Sequence, residues 1–343
     1  MTSFSASPRS VRIARWRALF TVGLVLPLAG WAVLASLYLG HAPAWLRWPL
    51  ALAWAGLALA VLLRRRRLDG ARWAGGALAT WLVFLGGWSL QQPQQDRVWS
   101  DDVARLLQAQ VRGNQVVLHN VRNFDWRSDT DYDARWETRT YDLDQLRTAD
   151  LAMSYWMGPA IAHTLVSFGF ADGRHLVFSL EIRKERGESF SAVGGFFRQF
   201  EEVLIAADER DILRVRTNVR GETMQLYRLN ISPAALRQLF LAYLDQAAAL
   251  RAAPAFYNSL TSNCTTVVFD LARKIDPGLP LDWRLLLSGY FDRYAYDHGG
   301  LMPGFDFPTL RARGDITARA RAATDADTFP TAIRQGVPGE GLP

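Results

Sequence analysis

Apolar residues follow one pattern up to about residue 90 and another beyond it. Ala18 to Leu39 is an uncharged, apolar run, Trp48 to Leu63 is a second that extends back through Trp45 and Leu46, and Trp73 to Leu90 is a third. Runs of this kind cross the roughly 30 Å hydrocarbon core of a bilayer as helices. Glycines at 75, 76, 86 and 87 in the third run are of the sort membrane helices tolerate. The first run is too long for the apolar core of a signal peptide and lacks a small-residue cleavage site. Residues 1–90 are therefore expected to form three transmembrane helices.

From Gln91 to Asp101 (QQPQQDRVWSD) the chain turns polar and reads as a linker. Beyond it the apolar pattern is that of a water-soluble domain. Asp102–Val111 reads as a helix. Gln115–Phe124, Ala160–Phe170 and His175–Arg183 read as strands, the last two forming a hairpin around Ala171-Asp172-Gly173. Ile212–Val219 and Thr223–Leu229 read as a further strand pair. Ser232 as N-cap and Pro233 at the first helical position open a helix with apolar residues at 236, 239, 240, 243 and 244, closed by Pro254. A second helix starts near Cys264. The expectation is an α+β domain over residues 102–310, with a poorly ordered Ala/Arg/Thr/Gly/Pro-rich tail over 311–343.

Charge sharpens the division. The chain of 343 residues has a formal net charge of +6. Residues 1–90 carry ten arginines against Asp69, a balance of +9, so residues 91–343 carry −3. A mildly acidic C-terminal part argues against nucleic acid as a partner. Arg9, Arg12, Arg15 and Arg17 precede the first apolar run, and Arg64, Arg65, Arg66, Arg67 and Arg72 separate the second from the third, whereas the segment His41–Arg47 has one positive charge. The positive-inside bias places the N-terminus in the cytoplasm and everything beyond residue 91 on the far side, the periplasmic face of a bacterial inner membrane. One cysteine excludes a disulfide framework, and five scattered histidines without an HExxH pattern give no metal signature. No cofactor is expected.

The chemistry converges on that cysteine. Cys264 lies in Ser262-Asn263-Cys264-Thr265-Thr266, where a polar loop becomes a helix. The dipole and free N–H groups at a helix start favour a thiolate. A buried, inert cysteine is the competing reading. His163, in an otherwise apolar strand, needs a buried partner and is the natural proton acceptor for the thiol. The hairpin offers two registers. A two-residue loop pairs His163 with Ile182, while a three-residue loop with a left-handed Gly173 sets His163 across from Glu181, as in a triad. A salt bridge from Glu181 to Arg183 or another arginine is the alternative. Backbone N–H groups at Cys264 and Thr265, with Asn263 as a further option, are the oxyanion candidates. Tyr257 and Asn258 either line the pocket or make a turn after Pro254.

Five segments resemble a known family: VRNFDWRSDTDYDARWETRTYDLDQL (121–146), HTLVSFGF with SLEIRKERGESFS (163–191), ERDILRVRTN (209–218), PAFYNSLTSNCTT (254–266) and GYFDRYAYDHGG (289–300). They are similar, in order, to the Lnb-type periplasmic domain. That resemblance places the family's cysteine and histidine on Cys264 and His163. It implies lipoprotein N-acyl transfer, in which an acyl chain passes from a phospholipid to a lipoprotein's amino terminus through an S-acyl cysteine. It also implies a permuted papain-like, NlpC-related fold, because histidine precedes cysteine. In the characterised acyltransferases the membrane spans follow this domain, whereas here three precede it.

The leading expectation is thus a membrane-anchored periplasmic thiol acyltransferase whose partners are phospholipid, lipoprotein and the inner membrane. A cysteine amidase or peptidase acting on peptidoglycan or a peptide is the runner-up, with water resolving the acyl-enzyme. The third option is an envelope scaffold with a structural cysteine.

Overall fold

The computed structural model describes residues 19, 21–40, 42–65, 70–323 and 325–341. Arg9, Arg12, Arg15, Arg17, His41, Arg66 and Arg67, which carry much of the charge argument, lie outside them. The chain forms two compact units, Met1–Gln94 with Ser191–Phe200, and Gln95–Phe190 with Glu201–Pro343.

The first unit is helical. A π-helical turn Thr21–Val25 leads into α1 (Leu26–Leu37), followed by α2 (Ala44–Arg64) and α3 (Gly70–Ser89). Among the described residues, only α2 is both long and apolar enough to cross a membrane by length and composition, and Gly23–Leu37 is a shorter apolar helix. Trp45, Trp48, Leu52, Leu59 and Leu63 stand exposed along α2, as suits an apolar surrounding rather than water. Trp31 packs edge-on against Trp81 at 5.7 Å and Trp88 at 5.1 Å. The excursion Ser191–Phe200 joins this unit. Phe197 stacks on Tyr38 at 5.9 Å, and the Arg198 guanidinium lies 4.4 Å over the Trp88 ring.

The second unit is α+β. Its strands are β1 (Gln108–Arg112), β2 (Gln115–Arg122), β3 (Asp125–Trp126), β4 (Tyr132–Asp133), β5 (Trp136–Asp142), β6 (Leu146–Tyr155), β7 (Ala162–Phe170), β8 (His175–Arg183), β9 (Glu201–Ala207) and β10 (Thr223–Arg228). Eight form one sheet in the order β1-β2-β9-β8-β7-β6-β10, with β5 paired to β2, while β3 and β4 pair separately. Helices follow as α4 (Glu209–Arg214), α5 (Pro233–Ala252), α6 (Cys264–Ile275), α7 (Phe291–Asp297), α8 (Phe307–Gly314), α9 (Thr317–Ala322) and α10 (Phe329–Arg334).

Both faces of the sheet are covered, which is why β7 is buried at every position instead of alternating. On one face α5 and α6 pack over Val166, Phe168 and Phe178, with Phe168 against Phe240 at 5.2 Å and Phe178 stacked on Tyr243 at 4.9 Å. On the other, Leu165, Val177 and Ile205 meet Ile212, Ile316, Phe329 and Ile333. The Ser232 hydroxyl accepts from the Ala235 N–H at the start of α5, and Leu236, Leu239, Phe240, Tyr243 and Leu244 form its buried stripe, as the sequence pattern predicts.

Three expectations are corrected. Asp102–Val111 is not a helix: a short 3-10 turn precedes β1, because Gly113 (φ +62°) and Asn114 close a hairpin that pairs Arg112 with Gln115. Ile212–Val219 is not a strand: the Asp208 carboxylate caps α4, which continues as a π-helical turn through Val219. The described residues of 311–341 are not a loose tail. Ile316, Ala320, Phe329, Ile333 and Val337 are in the core, and Arg334 is buried among carboxylates.

Candidate functional site

The hairpin of β7 and β8 sets the geometry. Its strand pairs run from Gly169↔His175 to Val166↔Phe178, the Phe170 N–H donates to Arg174 O, and Gly173 adopts φ +83°. This is the three-residue loop, and the same register continued along the strands sets His163 across from Glu181. A side chain at Gly173 would be strained by its left-handed backbone.

The contacts follow from that register. His163 Nε2 lies 3.2 Å from Glu181 Oε1 and 2.7 Å from Ser179 Oγ, and the Ser179 hydroxyl donates to Glu181 Oε1 at 2.8 Å. Since the one serine proton goes to Glu181, Ser179 accepts from Nε2–H, and Nδ1 is the nitrogen left for the cysteine. Burial alone pulls the His163 imidazole down, but Glu181 and the neighbouring Cys264 overcome burial and Arg216 and hold it up at about 9. Glu181 is desolvated, yet His163, Arg216 and Arg122 keep its carboxyl well below the usual range.

Cys264 is the first residue of α6 and is 6% exposed. Burial raises its thiol, but the His163 imidazole, the Thr164 backbone N–H and the Thr265 hydroxyl prevail and lower it. The helix start is fixed by a capping box. Asn263 Oδ1 accepts from the Thr265 and Thr266 N–H groups at 2.9 and 3.0 Å, and Thr266 Oγ1 accepts from the Asn263 N–H. The Thr265 hydroxyl bonds Thr164 on β7 at 2.8 Å, tying α6 to the strand that carries His163.

These bonds sort the sequence candidates. Cys264, His163 and Glu181 come together. The Thr265 N–H and the Asn263 side chain are occupied by the cap, and Asn263 Nδ2 is spent on Ser259 O, so neither is free as an oxyanion donor. The Cys264 N–H, at the first helical position, has no acceptor among the described residues. Asn258 makes a turn: its Oδ1 caps Leu260 and Thr261, and its backbone pairs with Ser262. Tyr257 stands near the thiol, where burial, Cys264 and Glu181 push its hydroxyl well above the usual range.

Five site neighbours are not among the candidates that the sequence suggests. Arg216, buried in the π-helical turn, donates to Glu181 Oε1 at 2.9 Å and lies 3.4 Å from Glu222, which accepts from Ser154. Glu181 is thus paired with an arginine, though not with Arg183, which bonds Val103 O and Ala104 O. Ser179 is recoverable from the sequence, being two residues before Glu181 on the same strand face; Thr164 and Arg216 are not. Among the described residues no group of three or more His, Cys, Asp or Glu is placed to hold a metal.

No curated protein and no solved structure matches the chain. His163, Glu181, Arg216 and Cys264 all fall within residues 132–289, the stretch that matches the family model described as the Lnb N-terminal periplasmic domain. Residues 132–289 are therefore similar to an Lnb-type periplasmic domain, and one helix long and apolar enough to cross a membrane, α2, precedes them among the described residues.

Proposed function

We propose that the chain is a thiol acyltransferase of the bacterial inner membrane, working through an S-acyl cysteine. One observation carries the reading. The buried Cys264 thiol at the start of α6 is made more acidic by the neighbouring His163 imidazole, whose Nε2 is held by Ser179 and Glu181, with the carboxylate fixed by a buried arginine. A thiolate–imidazolium pair of this kind supplies both the nucleophile and the proton that the leaving group needs.

The Cys264 thiolate attacks the carbonyl carbon of a phospholipid ester. The Cys264 N–H supports the oxyanion, and the His163 imidazolium gives its proton to the glycerol oxygen as the C–O bond breaks. A lysophospholipid leaves and a thioester remains. The neutral amino terminus of a lipoprotein then attacks the thioester, His163 takes the amine proton, and the thiolate departs as the amide forms. Tyr257 lines the approach to the sulfur. The architecture is read as a permuted papain-like fold, with the histidine strand preceding the cysteine helix. Three N-terminal helices with a cytoplasmic N-terminus are read as the anchor, holding the site where both lipid substrates reside.

Intact-mass measurement of the detergent-purified chain after incubation with phospholipid tests this. A hydroxylamine-labile fatty-acyl adduct is expected on the wild type and absent from Cys264→Ala, and His163→Ala is expected to lose adduct formation by about a thousandfold or more. An unacylated thiol that still alkylates rapidly at neutral pH replaces the acyltransferase with an amidase or peptidase. An inert, unacylated thiol overturns the enzyme altogether.

A further inference from the structure

Exposed large apolar side chains are not spread evenly over the α+β unit. All but Val98 and Val111 lie on three loops: Trp156 to Ile161 with its neighbour Phe190, the Asn258–Ser262 turn, and Leu281 to Tyr290. These loops surround the ends of the elements that carry His163 and Cys264. Trp156 meets Phe190 edge-on at 5.9 Å. The Ala162 N–H, one residue before His163, donates to Ser288 Oγ, and the Gly289 N–H donates to Ala160 O. A Cβ on Gly289 would lie 2.1 Å from Pro159 O, so the close approach of the third loop to the start of β7 requires glycine there.

Trp283 is 57% exposed, Met157 57%, Leu286 52% and Leu281 77%, too much apolar surface in one region for a face that meets only water. Tryptophan in such a setting, apolar ring outward with a polar edge, suits the headgroup layer of a bilayer. The chain favours lipid over a protein partner for a second reason. Phe190 leads directly into Ser191–Phe200, which packs among the apolar helices α1 and α3 through Phe197 and Arg198.

We propose that Trp156, Met157, Phe190, Trp283, Leu286 and Leu287 form a membrane-inserting rim, which seats the cysteine site on the bilayer surface so that an acyl ester can reach the thiol without crossing water. This deepens the acyltransferase reading and rests on it only for what the rim delivers. Insertion follows from apolar burial in the interface layer, whatever chemistry Cys264 performs.

The test uses the full chain reconstituted in phosphatidylglycerol/phosphatidylethanolamine vesicles. In a Cys264→Ala background, Leu286→Cys and Val111→Cys are labelled with an environment-sensitive fluorophore. The label at 286 is expected to shift to the blue and to be quenched by nitroxide-bearing lipids, and the label at 111 to be quenched only by an aqueous agent. A label at 286 open to the aqueous quencher, or shielded from it yet untouched by lipid nitroxide, overturns the proposal; the second outcome means that protein covers the rim. In a chain that retains Cys264, the combined Trp283→Ser, Leu286→Ser and Leu287→Ser variant is expected to acylate from vesicles about tenfold more slowly or worse, with unchanged alkylation by iodoacetamide. Lipid quenching at 286 without any acyl adduct on the wild type retains the rim and removes the acyltransferase. An adduct without quenching does the reverse.

Discussion

Two clusters of buried charge lie on the same face of the sheet, four residues apart along β7. One is built on the cross-strand pair Ser154↔His163, the other on Asp150↔Ser167. In the second, Arg334 from α10 bonds Asp150 Oδ2 at 2.8 Å and Glu209 Oε2 at 2.7 Å, Arg228 takes Asp150 Oδ1 at 2.6 Å, and Ser167 donates to Glu209. Each carboxylate is spent on a cation, and the cluster pins the C-terminal helices to the sheet. In the first, Arg216 and Glu181 lead through His163 to a thiol. The two do not differ in burial or in pairing. They differ in what stands at the end of the chain of charges: a closed set of ions in one, the Cys264 thiol in the other. Burial of paired ions is therefore weak evidence for chemistry until a reactive atom terminates the network.

The largest effect should come from breaking the closed cluster. Arg334→Met leaves Asp150 with Arg228 alone and Glu209 without its cation. Removing one partner of a buried ion pair costs about 3–5 kcal/mol. A urea titration of the detergent-solubilised chain should show that loss, while the folded protein still alkylates Cys264 at the wild-type rate. Slowed alkylation in the folded variant would mean that the two clusters are coupled, and the contrast between them would fail.

The sequence makes the first cluster half legible. The Asp172-Gly173 turn allows two registers, and the three-residue one puts Glu181 opposite His163; the helix starts at Ser232 and Asn263 are likewise written in capping residues. Arg216 is hidden for a definite reason. Residues 212–219 (ILRVRTNV) alternate apolar and polar like an edge strand, and only the Asp208 cap and tertiary packing make them helical. The second cluster hides because Arg334 is one of many arginines in an Ala-rich stretch. Its core signal is Ile316 and Ala320, then Phe329, Ile333 and Val337, a spacing of four in a segment whose composition reads as loose. The two-sided burial of β9 is also invisible locally, because Glu201 and Glu202 open the strand with charge.

Glu202 is a third kind of buried carboxyl, with no cation paired to it among the described residues. It is 5% exposed, Oε1 has no hydrogen-bond partner among the described residues, and burial, against a weaker bond from Ser262, pushes it up to about 7. A folded-state value above the unfolded one gives stability that is complete below about 4.5 and is lost as pH rises through about 7. The loss amounts to up to about 3 kcal/mol. Stability of the wild type should therefore fall between pH 4.5 and 7.5 relative to Glu202→Gln, which lacks the titration. Parallel stability curves for the two proteins would show that Glu202 is already satisfied as an anion, like the carboxylates around Arg334.

The smallest effect, and the one that separates the clusters most finely, is expected from Glu181→Gln. The amide keeps a bond to Ser179 and removes only the charge. Burial and Arg216 both pull His163 down, so without the carboxylate the imidazole is held up less and draws the proton from the thiol more weakly. Burial then raises Cys264. The midpoint of iodoacetamide alkylation against pH should move up by about one unit, slowing the reaction about tenfold at pH 7 while barely changing the urea midpoint. An unmoved midpoint would assign the acidity of Cys264 to the Thr164 N–H and the start of α6 instead. The charge chain behind His163 would then hold the fold together in the same way as the cluster around Arg334, and the thiol at its end would owe it nothing.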